Sequence, residues 1–353
     1  MLLYLSMRSS GERIGDVRRL VDAARALVVE RSRHTAAIVE STGLSPAGVE
    51  LALTRHLELD PTDDALRLLV DRAGDAPRVT LILSSNVFVG ALRAVAFARA
   101  AAPEVVVRPS RRDPAFARAL IERAADPAIR LATDVDVAAV DAGEIHVYGH
   151  DETIADVRRR ARPSIRVRGH GAGMGVGWVS EAAALETSAA RLADDVVVFD
   201  QRGCLSPRIV FVAGAAGRAD AFADALHRAL ERLDVTVPRG SVPTDERAAG
   251  DRYAATMTYA CRALVGTGHA IGIAPPGAPL FLPPPYRNVH IASAATLEGA
   301  RTLLEPLRSS VVAVGADDLD AARVLAPPWA RVSPLGEMQR PPLDGPVDLR
   351  DVA

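Results

Sequence analysis

Residues 196–212 read VVVFDQRGCLSPRIVFV, and the way this stretch turns decides the fold. An apolar run leads into Asp200-Gln201-Arg202-Gly203, a thiol follows at Cys204, and Pro207 interrupts the chain before the strand-like run 208–212. A thiol on such a turn faces a cleft rather than a core. Sulfur is the best nucleophile among the side chains, and a polarised site lowers its pKa enough to supply thiolate at neutral pH. The only other cysteine is Cys261. The plainer reading of Cys204 is a small buried residue; the motifs around it argue for chemistry.

Outward from this stretch, short apolar runs alternate with amphipathic ones. The N-terminal part is predicted helical at 12–40, at 46–59 behind Ser45-Pro46, and at 62–72, closed by Gly74 and Pro77. Strands are then predicted at 79–83, 104–108, 144–148 and 165–168, with helices at 88–101, 113–125 and 152–161 and 131–140 undecided. Beyond the glycine-rich GHGAGMGVG at 169–177, helices at 180–198, 220–233, 252–266 (carrying Cys261) and 296–308 alternate with strands at 208–212, 289–292 and 311–314. This is the signature of βαβ units and parallel sheets. The proline-rich pieces 274–285 and 327–346 read as ordered surface excursions. The predicted class is α/β, two doubly wound domains spanning 1–170 and 171–353, with Cys204 near their junction, where ligands collect.

Composition narrows the chemistry. At 353 residues, with 49% hydrophobic and 24% charged residues, the chain has the length and balance of a soluble protein of two domains. A net charge of −2 offers no electrostatic case for nucleic acid or an anionic membrane. No membrane span is evident, and the N-terminal MLLYLSMRSSGERIG lacks the order of a signal peptide, so a cytoplasmic location is expected. The chain has no lysine, and all 42 basic residues are arginine. Lysine Schiff bases and GK[ST] phosphate loops are thereby excluded. Amides are scarce: Asn86, Asn288, Gln201 and Gln339 are the full set, so one inside a motif carries weight. The histidines His34, His56, His146, His227, His269 and His290 show no metal-ligand spacing, and no metal is expected.

Four blocks occur in order: SSNVF (84–88), VVVRPSRRDP (105–114), HVYGHDETI (146–154) and FDQRGCLSP (199–207), with GEMQRPPLDGP at 336–346. In this order and spacing the chain resembles the aldehyde dehydrogenase superfamily. More narrowly, it resembles the acyl-CoA reductase (LuxC-type) family over residues 75–350 or so. The resemblance implies an aldehyde-dehydrogenase-like fold, with a Rossmann-like NAD(P)-binding domain behind a helical N-terminus in 1–170. It implies a catalytic domain in 171–353 and an active site in the cleft between the two. It makes Cys204 the nucleophile and gives oxyanion donation to the Asn86 side-chain amide and the Cys204 backbone N–H. An amide suits that task, because it donates without taking the nucleophile's proton. Asn86 read alone is a strand-end turn residue.

The resemblance also implies cofactor contacts at Ser85, Arg108, Ser110, Gly149 and His150. Arg108 stands where relatives carry a lysine near the adenosine ribose. Its planar fork suits a 2′-phosphate, which favours NADPH over NADH, although a lysine-free chain places arginine there regardless. Gly149 and His150 precede a helix whose free N–H groups would face a pyrophosphate, while Asp151 and Glu152 read equally well as capping residues. The acyl donor implied is acyl-CoA, or an acyl group held by an acyl-carrier or acyl-activating protein, and a homodimer is a possible assembly.

One departure points to a reaction. Aldehyde-oxidising relatives carry a water-activating glutamate ahead of a Gly-Gly turn, whereas the matching RGHGAGMG (168–175) holds no carboxylate and places His170 nearest that position. A thioacyl enzyme without such a base exchanges with a thiol rather than hydrolysing, which is the behaviour of an acylating reductase. His170 keeps aldehyde oxidation open as an alternative, because imidazole is a competent base near neutral pH; it also reads as an ordinary loop residue. The other alternative is a non-catalytic relative that holds a partner enzyme. The atypical phosphate turn supports it, and the retention of Cys204 with Asn86 opposes it. Acylation of Cys204 separates the two.

Overall fold

The computed structural model describes residues 8–350; the first residues of the N-terminal stretch read above against a signal peptide lie outside them. Short apolar runs form β1 (Val79–Ile82), β2 (Val105–Arg108), β3 (Ile129–Leu131), β4 (Glu144–Tyr148) and β5 (Arg166–His170). They make a parallel sheet in the order β3-β2-β1-β4-β5. The order reverses between β1 and β4, so their C-terminal ends open the crevice in which such sheets bind ligands. The helix Gly90–Ala101 is buried along its whole length. On one side it meets the sheet, and on the other the N-terminal helices Ser10–Val29 and Asp63–Ala73, whose ends are capped by Ser9 and Thr62.

The second sheet contains β6 (Met174–Val179), β7 (Pro207–Val212), β8 (Arg262–Val265), β9 (Ala270–Ala274), β10 (Asn288–Ser293), β11 (Val311–Ala316) and β12 (Arg331–Pro334). Its order is β12-β11-β6-β7-β10-β9-β8, parallel except for the antiparallel β8–β9 hairpin. Separate apolar clusters cover its two faces. Together the sheets give an aldehyde-dehydrogenase-like α/β fold, as the resemblance implies.

Four sequence readings change. The helix read over 12–40 is two, Ser10–Val29 and Thr35–Thr42, separated by a tighter turn at Arg31–Arg33. The glycine-rich 169–177, in which His170 read as a loop residue, holds the end of β5, the connection 171–173 and most of β6, a fully buried central strand. Glycine is required there because a Cβ at Gly175 would collide with the Leu205 carbonyl and approach Met338 to 2.7 Å. The helix read as 252–266 is Thr244–Ala260, and the chain continues from Cys261 into edge strand β8. The proline-rich 327–346 is a strap rather than a surface excursion: it supplies β12 and buries Leu335, Met338 and Leu343 to 2%, 2% and 1% exposure.

This strap ties the C-terminal part of the chain to the first sheet's helices. Arg93, 2% exposed on Gly90–Ala101, donates to the carbonyls of Pro341, Pro342 and Gly345 and pairs with Glu58 at 2.8 Å. Asp344 pairs with Arg72 and Arg331 at 2.9 and 2.8 Å. Removing a guanidinium that satisfies buried carbonyls and a carboxylate is strongly destabilising. Arg93→Met is therefore expected to lower unfolding stability by about 3 kcal/mol in urea titration; a loss below about 1 kcal/mol would show that the strap does not hold the lobes.

Candidate active site

Cys204 is placed by a strained turn. Phe199, Asp200 and Gln201 all take left-handed backbone (φ 53°, 50° and 61°), a conformation costly for residues with a Cβ. Burial and hydrogen bonds over-determine it. Phe199 packs edge-on against His56 and Phe88 of the first lobe, with centroids 6.1 and 6.3 Å away. The Asp200 carboxylate accepts from Arg287 (Nε 3.0 Å, Nη2 2.7 Å) and from the Gly240 N–H at 3.0 Å. The Gln201 amide donates to the carbonyls of Pro207 and Asn288 at 2.8 and 2.7 Å and accepts from the Asn288 N–H at 2.8 Å. Arg202 reaches the Thr42 carbonyl at 2.9 Å. The polar residues of the DQRG turn are thus scaffold, and the thiol they present is half-buried at the wall of a cavity of about 1030 Å³.

That cavity gathers most of the residues singled out from sequence. Cys204, Asn86, Ser85, His170, Gly149 and His150 all line it. The loop carrying Asn86 lies against the nucleophile turn, since a Cβ at Gly203 would stand 3.2 Å from Val87 Cγ2. Gly149 and His150 leave the end of β4, and the Gly149 N–H donates to the His170 carbonyl at 3.2 Å. Arg108 and Ser110 lie apart from this cavity. Ser110 lines a separate pocket of about 190 Å³, its hydroxyl accepting from the Arg112 N–H at 3.2 Å. Arg108 stands at the end of β2 with its Nε 3.8 Å from Asp134.

The electrostatics of the cavity are set by burial. Burial first, and the Asp348 carboxylate second, push the Cys204 thiol up to about 12, with Arg350 opposing. This shift runs against the lowered pKa expected from sequence, with burial as its main cause. His170 is buried, stacked on the Tyr148 ring at a centroid distance of 4.3 Å. Burial, together with the neighbouring His146 and Arg168, pushes the imidazole down to about 3. Neither ring nitrogen of His170 has a hydrogen-bond partner within the protein, nor has the Tyr148 hydroxyl.

Two site features escaped the sequence reading. Asp348 lines the cavity from the C-terminal strap, both of its oxygens engaged by the Arg350 guanidinium at 2.6 to 3.0 Å. Arg350 also donates to the Ala172 carbonyl at 2.8 Å. The Asp151 carboxylate, which could have opposed a phosphate at the start of the helix Asp151–Arg160, instead accepts from the Ala172 N–H at 3.2 Å. No local motif marks these partners, because 144 or more residues separate Cys204 from Asp348 along the chain and only folding joins them. Outside the cavity, His227 and His269, read as lacking metal-ligand spacing, stand 2.9 Å apart beside Glu231.

A thiol and an amide lining one cavity beside two doubly wound sheets leave several families open. The model of the acyl-CoA reductase (LuxC) family matches residues 72–352. The chain belongs to that family. Its fold is that of aldehyde dehydrogenases. It is similar to a NAD-dependent benzaldehyde dehydrogenase from Corynebacterium glutamicum (16% identity, TM-score 0.71), covering 93% of this chain and 82% of that one. It is also similar to a Mycobacterium tuberculosis aldehyde dehydrogenase complexed with NAD+ (16%, TM-score 0.68, covering 92% and 77%). A third similar structure is a NADP-dependent glyceraldehyde-3-phosphate dehydrogenase from Bacillus halodurans complexed with NADP (15%, TM-score 0.67, covering 92% and 79%). No curated protein matches the sequence. Membership makes this acyl-CoA reductase family chain an aldehyde-related oxidoreductase, and among its described residues no helix is long and apolar enough to cross a membrane.

A thiol pKa raised by burial has a kinetic signature. In a Cys261→Ser background, iodoacetamide alkylation of Cys204 is expected to keep accelerating with pH beyond the ~8.5 of an ordinary thiol. A rate that levels off near neutral pH would show a thiolate site instead.

Proposed function

We propose that the protein reduces an acyl thioester to an aldehyde through a thioacyl intermediate on Cys204. The observation that carries this reading is the company Cys204 keeps: an amide donor lines its cavity, and His170, which stands where the resemblance would place a water-activating carboxylate, is an imidazole pushed by burial down to about 3. So weak a base is poorly matched to activating water at neutral pH. Asp348, the carboxylate that acts on the thiol, has both oxygens committed to Arg350. A thioacyl group formed here resists hydrolysis. The same reasoning disfavours aldehyde oxidation with His170 as base.

The chemistry of acyl transfer follows from the chain's own groups. The Cys204 sulfur bonds to the carbonyl carbon of the incoming thioester, and the carbon–sulfur bond to the departing thiol breaks. That thiol carries away the proton that Cys204 loses. Negative charge on the carbonyl oxygen is met by the Asn86 amide and the Cys204 backbone N–H, donors that need no reorganisation.

The site fits a nicotinamide cofactor. The crevice at the β1–β4 reversal is where a dinucleotide lies in such sheets. A Cβ on Gly149 would meet only Thr153, at 3.5 Å, so the space before that turn is open. Ser85, Gly149 and His150 would hold the cofactor inside the cavity, with Arg108 and Ser110 outside it toward the adenosine. When bound, reduced cofactor supplies the two electrons that take the thioester to the aldehyde level. Arg108 supports NADPH. Arg108 and Arg111 flank Asp134 at 3.8 and 3.4 Å, so a 2′-phosphate would compete with that carboxylate, and NADH remains the alternative. We place the reaction in the cytoplasm, fed by acyl-CoA or by an acyl-carrier or acyl-activating protein.

Nicotinamide absorbance tests the direction. Acyl-CoA with NADPH is expected to turn over, and Asn86→Ala is expected to slow it roughly a hundredfold or more. Strong CoA-independent oxidation of aldehyde with NAD+ would overturn the proposal.

A further inference from the structure

On the far side of the second lobe, three metal-ligating side chains converge away from the cleft. His227 and Glu231 are one helical turn apart on Arg218–Thr236, and so share a face of that helix. His269 comes from the turn joining β8 to β9. One ligand atom from each lies within 4.8 Å of the others, and His227 Nδ1 stands 2.9 Å from His269 Nε2. The turn is shaped around this cluster. A Cβ at Gly266 would collide with the Glu231 carboxylate and the His269 ring, and the Thr267 N–H donates to Glu231 Oε1 at 3.2 Å. His269 is buried. His227 and Glu231 are half-buried, which leaves an approach from solvent and positions for water.

We propose that His227, Glu231 and His269 bind a divalent transition metal of the zinc class. Two imidazoles and a carboxylate at this separation suit Zn²⁺ or Co²⁺, with water completing the coordination. The ion would clamp the helix to the hairpin turn. Three residues beyond Glu231, Asp234 pairs with Arg287 at 3.2 Å, and Arg287 in turn holds Asp200. The clamp thus acts on the helix that braces the nucleophile turn while standing outside the catalytic cavity.

The test is titration of tag-free protein with Co²⁺ and then Zn²⁺. Expected are one saturable equivalent of Co²⁺ with weak visible d–d bands and no thiolate charge-transfer band, displacement by Zn²⁺, and a rise in Tm with Zn²⁺. His227→Ala and Glu231→Gln, both at half-buried positions, are each expected to weaken binding by about tenfold or more and to abolish the Tm rise. Absence of saturable binding overturns the proposal. So does a thiolate band, or binding that both variants leave unchanged. Acyl-thioester reduction is read separately, so failure here leaves that reading intact and the reverse also holds.

Discussion

The buried pair between Asp200 and Arg287 is the constraint on which the site depends. Their side chains are 3% and 2% exposed and joined at 2.7 Å. Each lies in a left-handed segment, 199–201 and 286–287, and the Tyr286 N–H donates to the Asp200 carbonyl at 3.1 Å. Left-handed backbone at residues with side chains costs about 1 to 3 kcal/mol each, so neither segment would persist alone. Their mutual bracing offsets that cost and fixes the direction in which Cys204 leaves the turn. A buried ion pair adds little net stability over an apolar substitute, but it sets geometry, because either charge left alone is heavily penalised.

The turn also joins the lobes. Phe199 enters the apolar cluster of the first lobe, Arg202 binds the Thr42 carbonyl, and the C-terminal strap returns to Arg93. Asn86, in the loop after β1, and Cys204, before β7, therefore line one cavity whose walls are pinned on both sides. The same burial that gives rigidity raises the thiol's pKa and depresses that of His170. One physical cause thus shifts both groups, the thiol upward and the imidazole downward.

Much of this was legible in the sequence. The alternation of apolar runs foretold four of the first sheet's five strands to within a residue or two, because each is bounded by proline, glycine or a charged turn, while β3 at Ile129–Leu131 was missed. Cys204 and Asn86 stood out because the chain is poor in both residue types. What failed has physical reasons. The stretch 173–177 was not read as a strand, and only the close approach of Leu205 and Met338 shows why this central strand needs Gly175. The roles of Asp200 and Gln201 depend on Arg287 and Asn288, 87 residues away along the chain. Asp348 and Arg350 likewise reach the site only through the fold of the strap. His227 and His269, 42 residues apart, carry no spacing signal at all.

The central claim is covalent chemistry at one sulfur. Intact-protein mass spectrometry after incubation with an acyl-CoA, cofactor omitted, tests it most directly. A mass increase equal to one acyl group, mapped to Cys204 and absent from Cys204→Ala, is the expected result. Unmodified wild-type protein, indistinguishable from that variant across acyl chain lengths, would contradict it.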